Sequence, residues 1–169
     1  IAYVHESKGI EKHIMRYPQI FATKAIKAKL DDGVKKGIIW HTQGSGKTAL
    51  TYYNVKHLSD YFQQKGVIAK FYFIVDRIDL LDQSKREFSS RGLKVHTISS
   101  REDFKNDIKK TTAINNDRGE LEITVVNIQK FPFLKDMAEA RKKLLKNKRV
   151  AIVIDEIHRS NSGKQHTEM

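Results

Sequence analysis

Apolar positions fall into short, nearly continuous runs, separated by longer stretches in which they recur every three or four residues. The runs are Ile38-Ile39-Trp40, Phe71 to Val75, Val95 to Ile98, Ile123 to Val126 and Val150 to Ile154. The richest are apolar at consecutive positions, which predicts strands covered on both faces, as in a parallel sheet. Between the runs, residues 18–30 (Ile20, Phe21, Ala25, Ile26, Leu30), 47–64 (Leu50, Tyr53, Leu58, Tyr61, Phe62) and 78–90 (Ile78, Leu81, Phe88) have a spacing close to helical. Strands alternating with helices predict an α/β fold: a mostly parallel central sheet, right-handed crossovers and helices on both faces. Residues 1–15 are polar and aperiodic and read as a linker or the end of a preceding segment, which leaves 16–169 as one domain.

In such a sheet, ligands bind outside the carboxyl ends of the strands. Two segments predicted to lie there carry chemistry. After Ile38-Ile39-Trp40 comes His41-Thr42-Gln43-Gly44-Ser45-Gly46-Lys47-Thr48, followed by a predicted helix. Glycines at 44 and 46 can adopt positive φ and let backbone N–H groups converge on phosphate oxygens, while the helix N-terminus adds its positive dipole end. Lys47 would reach the β- and γ-phosphates of ATP, and the Thr48 hydroxyl would ligate Mg²⁺. The last apolar run leads directly into Asp155-Glu156-Ile157-His158. A strand ending in Asp-Glu is the Walker B arrangement, with Asp155 holding the metal and Glu156 deprotonating the attacking water. The alternatives are a Gly-containing turn at a helix start and a charged surface turn.

Composition narrows the partners. The chain has 169 residues and a formal net charge of +12, which favours a polyanion. Six of the cations lie between Arg141 and Arg149, where a solvated helix face is the competing explanation. There is no cysteine, which excludes a disulfide scaffold, a thiol enzyme and a cysteine-ligated zinc site. No apolar run approaches the ~18 residues of a membrane span, so no membrane is expected. With no signal-peptide pattern at the N-terminus, the chain reads as part of a longer, cytoplasmic protein.

Gly-Ser-Gly-Lys-Thr followed by Asp-Glu-x-His resembles the first RecA-like motor domain of superfamily 2 helicases and translocases. Finer features resemble the motor (R) subunit of type I restriction enzymes. They are Trp40-His41-Thr42-Gln43-Gly44-Ser45-Gly46-Lys47, Val75-Asp76-Arg77 with Leu80 and Gln83, Thr124 to Phe131, and Asp155-Glu156-Ile157-His158-Arg159-Ser160. Arg16-Tyr17-Pro18-Gln19 followed by Ala22 is similar to the Q motif that opens these domains. Gln19 could then match adenine with its carboxamide, with Tyr17 or Arg16 stacking on the base; helix entry at Pro18 is the alternative.

The resemblance implies a RecA-like P-loop NTPase domain that binds ATP and Mg²⁺. Gln43 to Thr48 would form the nucleotide loop, and Arg77, Gln129 and Lys130 would contact the DNA backbone. His158 would couple nucleotide state to DNA. For Arg77, a local ion pair with Asp79 or Asp76 is the competing role. The implied partners are double-stranded DNA, modification and specificity subunits, and a second RecA-like domain and a nuclease domain in the full-length chain. Without the second domain's arginine finger, the 169-residue piece would be nearly inactive. The competing functions are another DExH motor (a type III restriction subunit, a repair helicase or an RNA helicase) and a non-catalytic nucleotide- or nucleic-acid-binding module.

Overall fold

The computed structural model describes residues 1–42, 44–67, 69–75, 77–98, 100–109, 121–127 and 149–154. The elements run β1 (Ala2–Glu6), β2 (Gly9–His13), α1 (Tyr17–Asp31), α2 (Lys47–Gln63), β3 (Ala69–Val75), α3 (Ile78–Ser89), β4 (Lys94–Ile98), α4 (Arg101–Lys109), β5 (Glu122–Asn127) and β6 (Arg149–Ile154). The main sheet has the order β4-β5-β3-β6 and every pair is parallel. Registers Val75↔Asn127, Ile98↔Val126 and Ile74↔Ile154 bring the carboxyl ends of all four strands to one edge.

Consecutive apolar residues in these strands serve two faces. Phe71, Phe73 and Val75 of β3 join Ile123 and Val125 of β5 in a core closed by Val55, Leu58 and Phe62 of α2 and Phe88 of α3. Phe73 and Phe88 meet edge to face at 5.1 Å, worth about 0.5–1.5 kcal/mol beyond the area they bury. The alternate residue Tyr72 points to the other face, where its ring meets Phe104 of α4 at 5.4 Å. Chain direction explains the two faces. From β3 to β4 the chain crosses the sheet one way over α3, and from β4 to β5 it returns over α4. Right-handed crossovers in opposite directions must lie on opposite faces.

α1 packs outside α2, and the two helices are parallel. Gln19 bonds Gly46, the Thr23 hydroxyl donates to Asn54 Oδ1 (3.1 Å), and the Tyr61 hydroxyl donates to Asp31 Oδ1 (2.8 Å). The partners ascend together along both helices, so both N-termini lie at the same end. Residues 34–42 therefore have to run back along nearly the full length of α2; nine extended residues reach about 30 Å, against about 26 Å for 17 helical ones.

Two expectations change. Ile38-Ile39-Trp40, predicted as the strand before the glycine loop, has no regular structure, and Ile38 and Trp40 are 92% and 90% exposed. An apolar triplet becomes a strand only when a neighbour supplies the ladder, and among the described residues β6 pairs with β3 alone. Conversely, the stretch 1–15 read as a linker contains a hairpin whose register runs from Ala2↔His13 to Glu6↔Gly9 around Ser7-Lys8. Ala2 and Val4 are buried, His5 N–H donates to the Ser90 carbonyl (2.8 Å), and the Tyr53 hydroxyl donates to the His13 carbonyl (3.3 Å). The hairpin is thus seated on α2 and the end of α3.

Candidate nucleotide site at the carboxyl edge

A short turn at residues 64–67 joins α2 to β3, and α2 packs on β3 in the same core. Seventeen helical residues rise about 26 Å and seven strand residues about 23 Å, so the two elements are nearly equal in length and run in opposite directions. The N-terminus of α2 is therefore level with Val75, Asn127 and Ile154, at the sheet edge where ligands are expected.

The loop at that end has the backbone its glycines predict. Gly44 has φ +75° and Gly46 has φ +78°, both left-handed. Gly46 is the N-cap of α2 with no side-chain cap hydrogen bond, and the first turn of the helix holds no acidic residue. The orphan N–H groups of the helix start and its dipole are therefore not countered by a local carboxylate. Ser45 Oγ is buried with no hydrogen-bond partner among the described residues. Lys47 and Thr48, both half-buried, occupy the first two positions of the helix. Donors in excess, a cation and an unanswered buried hydroxyl suit a phosphate chain. Thr48 supplies a hard oxygen suited to Mg²⁺, an ion that takes few protein ligands alongside water and phosphate. Among the described residues there is no group of three or more His, Asp or Glu that could hold a metal independently.

Gln19 is 3% exposed. Its Oε1 accepts from the Arg16 N–H (2.9 Å), and its Nε2 donates to the Gly46 carbonyl (3.1 Å). Tyr17, two residues earlier, is 74% exposed, with its ring edge-on to Phe21 at 4.7 Å. The structure thus brings Tyr17, Gln19 and the loop from Gly44 to Thr48 to one end of the α1–α2 pair.

Arg77 caps α3 just beyond β3, also at the carboxyl edge. Its guanidinium grips Asp79 with two bonds, Nε–Oδ1 at 3.1 Å and Nη2–Oδ2 at 2.7 Å, and both side chains are exposed. Of the remaining sequence candidates, Gln43, Gln129, Lys130, Asp155, Glu156 and His158 lie outside the described residues.

Sequence reasoning passed over the face of the sheet behind the site. There, Asp107 of α4, 5% exposed, accepts from the Tyr72 hydroxyl (2.6 Å) and pairs with Lys70 Nζ (2.6 Å). Burial, together with the neighbouring Asp107 carboxylate, pushes the Tyr72 phenol well above its ordinary value. The available signal for α4 was Ser100 three residues before Asp103, a capping pattern that the structure realises with Asp103 N–H donating to Ser100 Oγ at 3.1 Å.

Comparison with known proteins agrees with this arrangement. The family described as type III restriction enzyme, res subunit, matches residues 12–169. A putative type I restriction enzyme endonuclease subunit, C-terminal part, of Mycoplasma pneumoniae is 32% identical over 170 residues, covering 92% of this chain and 77% of that protein. A putative type I restriction enzyme endonuclease subunit of Methanocaldococcus jannaschii is 41% identical over 91 residues, covering 50% of this chain and 8% of the relative. A type I restriction enzyme endonuclease subunit of Staphylococcus saprophyticus is 34% identical over 155 residues, covering 90% of this chain and 15% of the relative. The chain thus spans only a small part of the two longer relatives. A parallel α/β sheet with a glycine loop at the head of α2, and a family match over nearly every residue, mean that this chain belongs to the restriction-enzyme endonuclease subunits and carries their RecA-like, helicase-type P-loop domain.

Proposed function

We propose that this chain is the ATP-binding motor domain of a type I restriction endonuclease subunit, which hydrolyses ATP to translocate duplex DNA before a nuclease domain elsewhere in the protein cuts it. The observation that carries this reading is the loop at the head of α2, with left-handed Gly44 and Gly46, an acid-free helix start and Lys47, at the carboxyl edge of a parallel sheet.

In this reading the backbone N–H groups of Gly44 to Thr48 bind the phosphates, and Lys47 Nζ donates to β- and γ-phosphate oxygens. Thr48 and Asp155 would hold Mg²⁺, which would supply charge neutralisation at the phosphates when bound. Glu156 takes a proton from the water that attacks the γ-phosphorus, as the bond to the leaving ADP oxygen breaks. Tyr17 offers its exposed ring to the base. Arg77, Gln129 and Lys130 meet DNA phosphates, which carry no base code and suit a motor that must grip any sequence. His158 couples the two sites. A second RecA-like domain, a nuclease domain, and modification and specificity subunits complete the cytoplasmic complex.

Lys47→Ala tests the reading. It should abolish ATP binding while changing the unfolding free energy by less than about 1 kcal/mol, since Lys47 is half-buried and lies outside the core. Retained nucleotide affinity would refute the phosphate cradle. Stimulation of the full-length protein's ATPase by duplex DNA rather than by RNA separates a restriction motor from an RNA helicase.

A further inference from the structure

The hairpin β1–β2 presents an open sheet edge and an apolar, cationic face. His5 N–H points out of the hairpin to the Ser90 carbonyl (2.8 Å), so His5 belongs to a cross-strand pair whose backbone groups face away from each other. Its partner in that pair is Ile10. The Ile10 N–H and C=O must then point out of the opposite edge, and those of Lys12, two residues on, do the same. Among the described residues the hairpin is a two-stranded sheet, and no backbone hydrogen bond reaches Ile10 or Lys12 from outside it. Alternation places Tyr3, His5, Ile10 and Lys12 on the face away from buried Ala2 and Val4, and Tyr3 and Ile10 are 60% and 65% exposed. That face carries no carboxylate: Glu6 and Glu11 alternate onto the other, where Glu11 pairs with His13 (3.3 Å). We propose that β2 accepts a third strand, an extended segment from elsewhere in the full-length polypeptide that is apolar toward Tyr3 and Ile10 and carries an acidic residue beside Lys12.

An open edge beside exposed aromatic and aliphatic side chains is a template for strand addition, in which main-chain bonds supply affinity and alternate side chains supply selectivity. Ile10 and Lys12 each offer one N–H donor and one C=O acceptor along that edge. Tyr3 and Ile10 lie diagonally across the hairpin, close enough to meet the same side chain of an incoming strand. The chain spans 15% of the Staphylococcus saprophyticus relative, so most of such a polypeptide lies outside residues 1–169 and is covalently tethered to the hairpin. A tether holds the incoming strand at an effective concentration of about millimolar when the linker is short, so a contact of a few bonds suffices. A second copy fits less well. Pairing β2 with another β2 would place the His5 and Lys12 side chains of both copies on one face, with no carboxylate between them.

The test is hydrogen exchange on the purified full-length protein, read at single residues by electron-transfer fragmentation of the peptide that covers β2. The amides of Glu11 and His13 point into the hairpin and should be protected whether or not a strand is added. The amides of Ile10 and Lys12 should be slowed about hundredfold or more by the added strand. Exchange at the free-chain rate at Ile10 and Lys12 would overturn the proposal, whether Glu11 and His13 are protected (a bare edge) or not (no hairpin to build on). Protection that is lost when the protein is diluted would assign the edge to a second copy and overturn the choice of occupant. Lys12→Glu keeps the hairpin's own ladder but sets a carboxylate against the incoming acid, so Ile10 protection should fall about tenfold while that of Glu11 holds. Unchanged protection at Ile10 in that variant would overturn the acidic chemistry assigned to the strand. A carbodiimide, which joins an amine directly to a carboxylate, should link Lys12 to an Asp or Glu outside residues 1–169; links only to carboxylates within them would overturn the assignment to the rest of the polypeptide.

Discussion

Gly46→Ala is the most informative single change, because two separable effects meet at that residue. The first is backbone: φ +78° costs a residue with a Cβ roughly 1–2 kcal/mol. The second is contact: the new Cβ would lie 2.7 Å from Gln19 Nε2, which has to move and give up its bond to the Gly46 carbonyl. Losing that bond and leaving a buried amide donor unanswered adds about 1–2 kcal/mol, for a total of about 2–4 kcal/mol. Gly44→Ala is the internal control. It has nearly the same φ, +75°, but open space where its Cβ would go, so only the backbone cost of about 1–2 kcal/mol applies. Urea unfolding followed by circular dichroism would measure both. The same Gly46→Ala change placed in a Gln19→Ala background should cost little more than Gly44→Ala, giving a coupling of about 1–2 kcal/mol between positions 19 and 46. Equal costs for the two glycine substitutions, or a coupling of zero, would refute the contact between α1 and the glycine loop.

Asp107→Ala should destabilise the chain by about 3–5 kcal/mol in thermal or urea unfolding, because it removes the carboxylate shared by the buried Tyr72 hydroxyl and by Lys70, whose side chain is 12% exposed and keeps only the backbone carbonyl of residue 107 (2.7 Å). Because burial raises the Tyr72 phenol, the stability this group contributes is fully present below the ordinary tyrosine value of about 10 and is lost as pH rises beyond it. Tyr72→Phe should make alkaline unfolding less steep, as read by the unfolding midpoint against pH. Arg77→Ala should change stability by less than about 0.5 kcal/mol, since its ion pair with Asp79 is exposed on both sides. If Arg77 meets a DNA phosphate, the same variant should lower the salt slope of DNA binding by the full-length protein by about one.

Strands β3 to β6 and helices α1 to α3 were legible because their signals are local: consecutive apolar residues in the strands, and three-to-four spacing in the helices. The left-handed turns at Gly44 and Gly46 were legible for the same reason, since residue type alone makes that backbone cheap there. The N-terminal hairpin was not. Its turn, Ser7-Lys8, lacks the Asn-Gly or Asp-Gly pair that marks tight hairpins, and Ala2 and Val4 are too small and too few to show as a pattern. Ile38-Ile39-Trp40 misled in the opposite sense, because apolar character cannot indicate whether a pairing partner is present.

The sequence by itself determined the alternation of strand and helix, the left-handed backbone of the glycine loop and the presence of Lys47 and Thr48 at a helix start, because each depends on residues within a few positions of one another. Only the tertiary structure decided where Gln19 and Arg77 direct their side chains. Gln19 lies 27 residues from Gly46 along the chain, and the parallel docking of α1 on α2 brings them within hydrogen-bond distance. Burial sets the Gln19 carboxamide against Gly46, and exposure beside Asp79 leaves Arg77 in a pair that a phosphate could break.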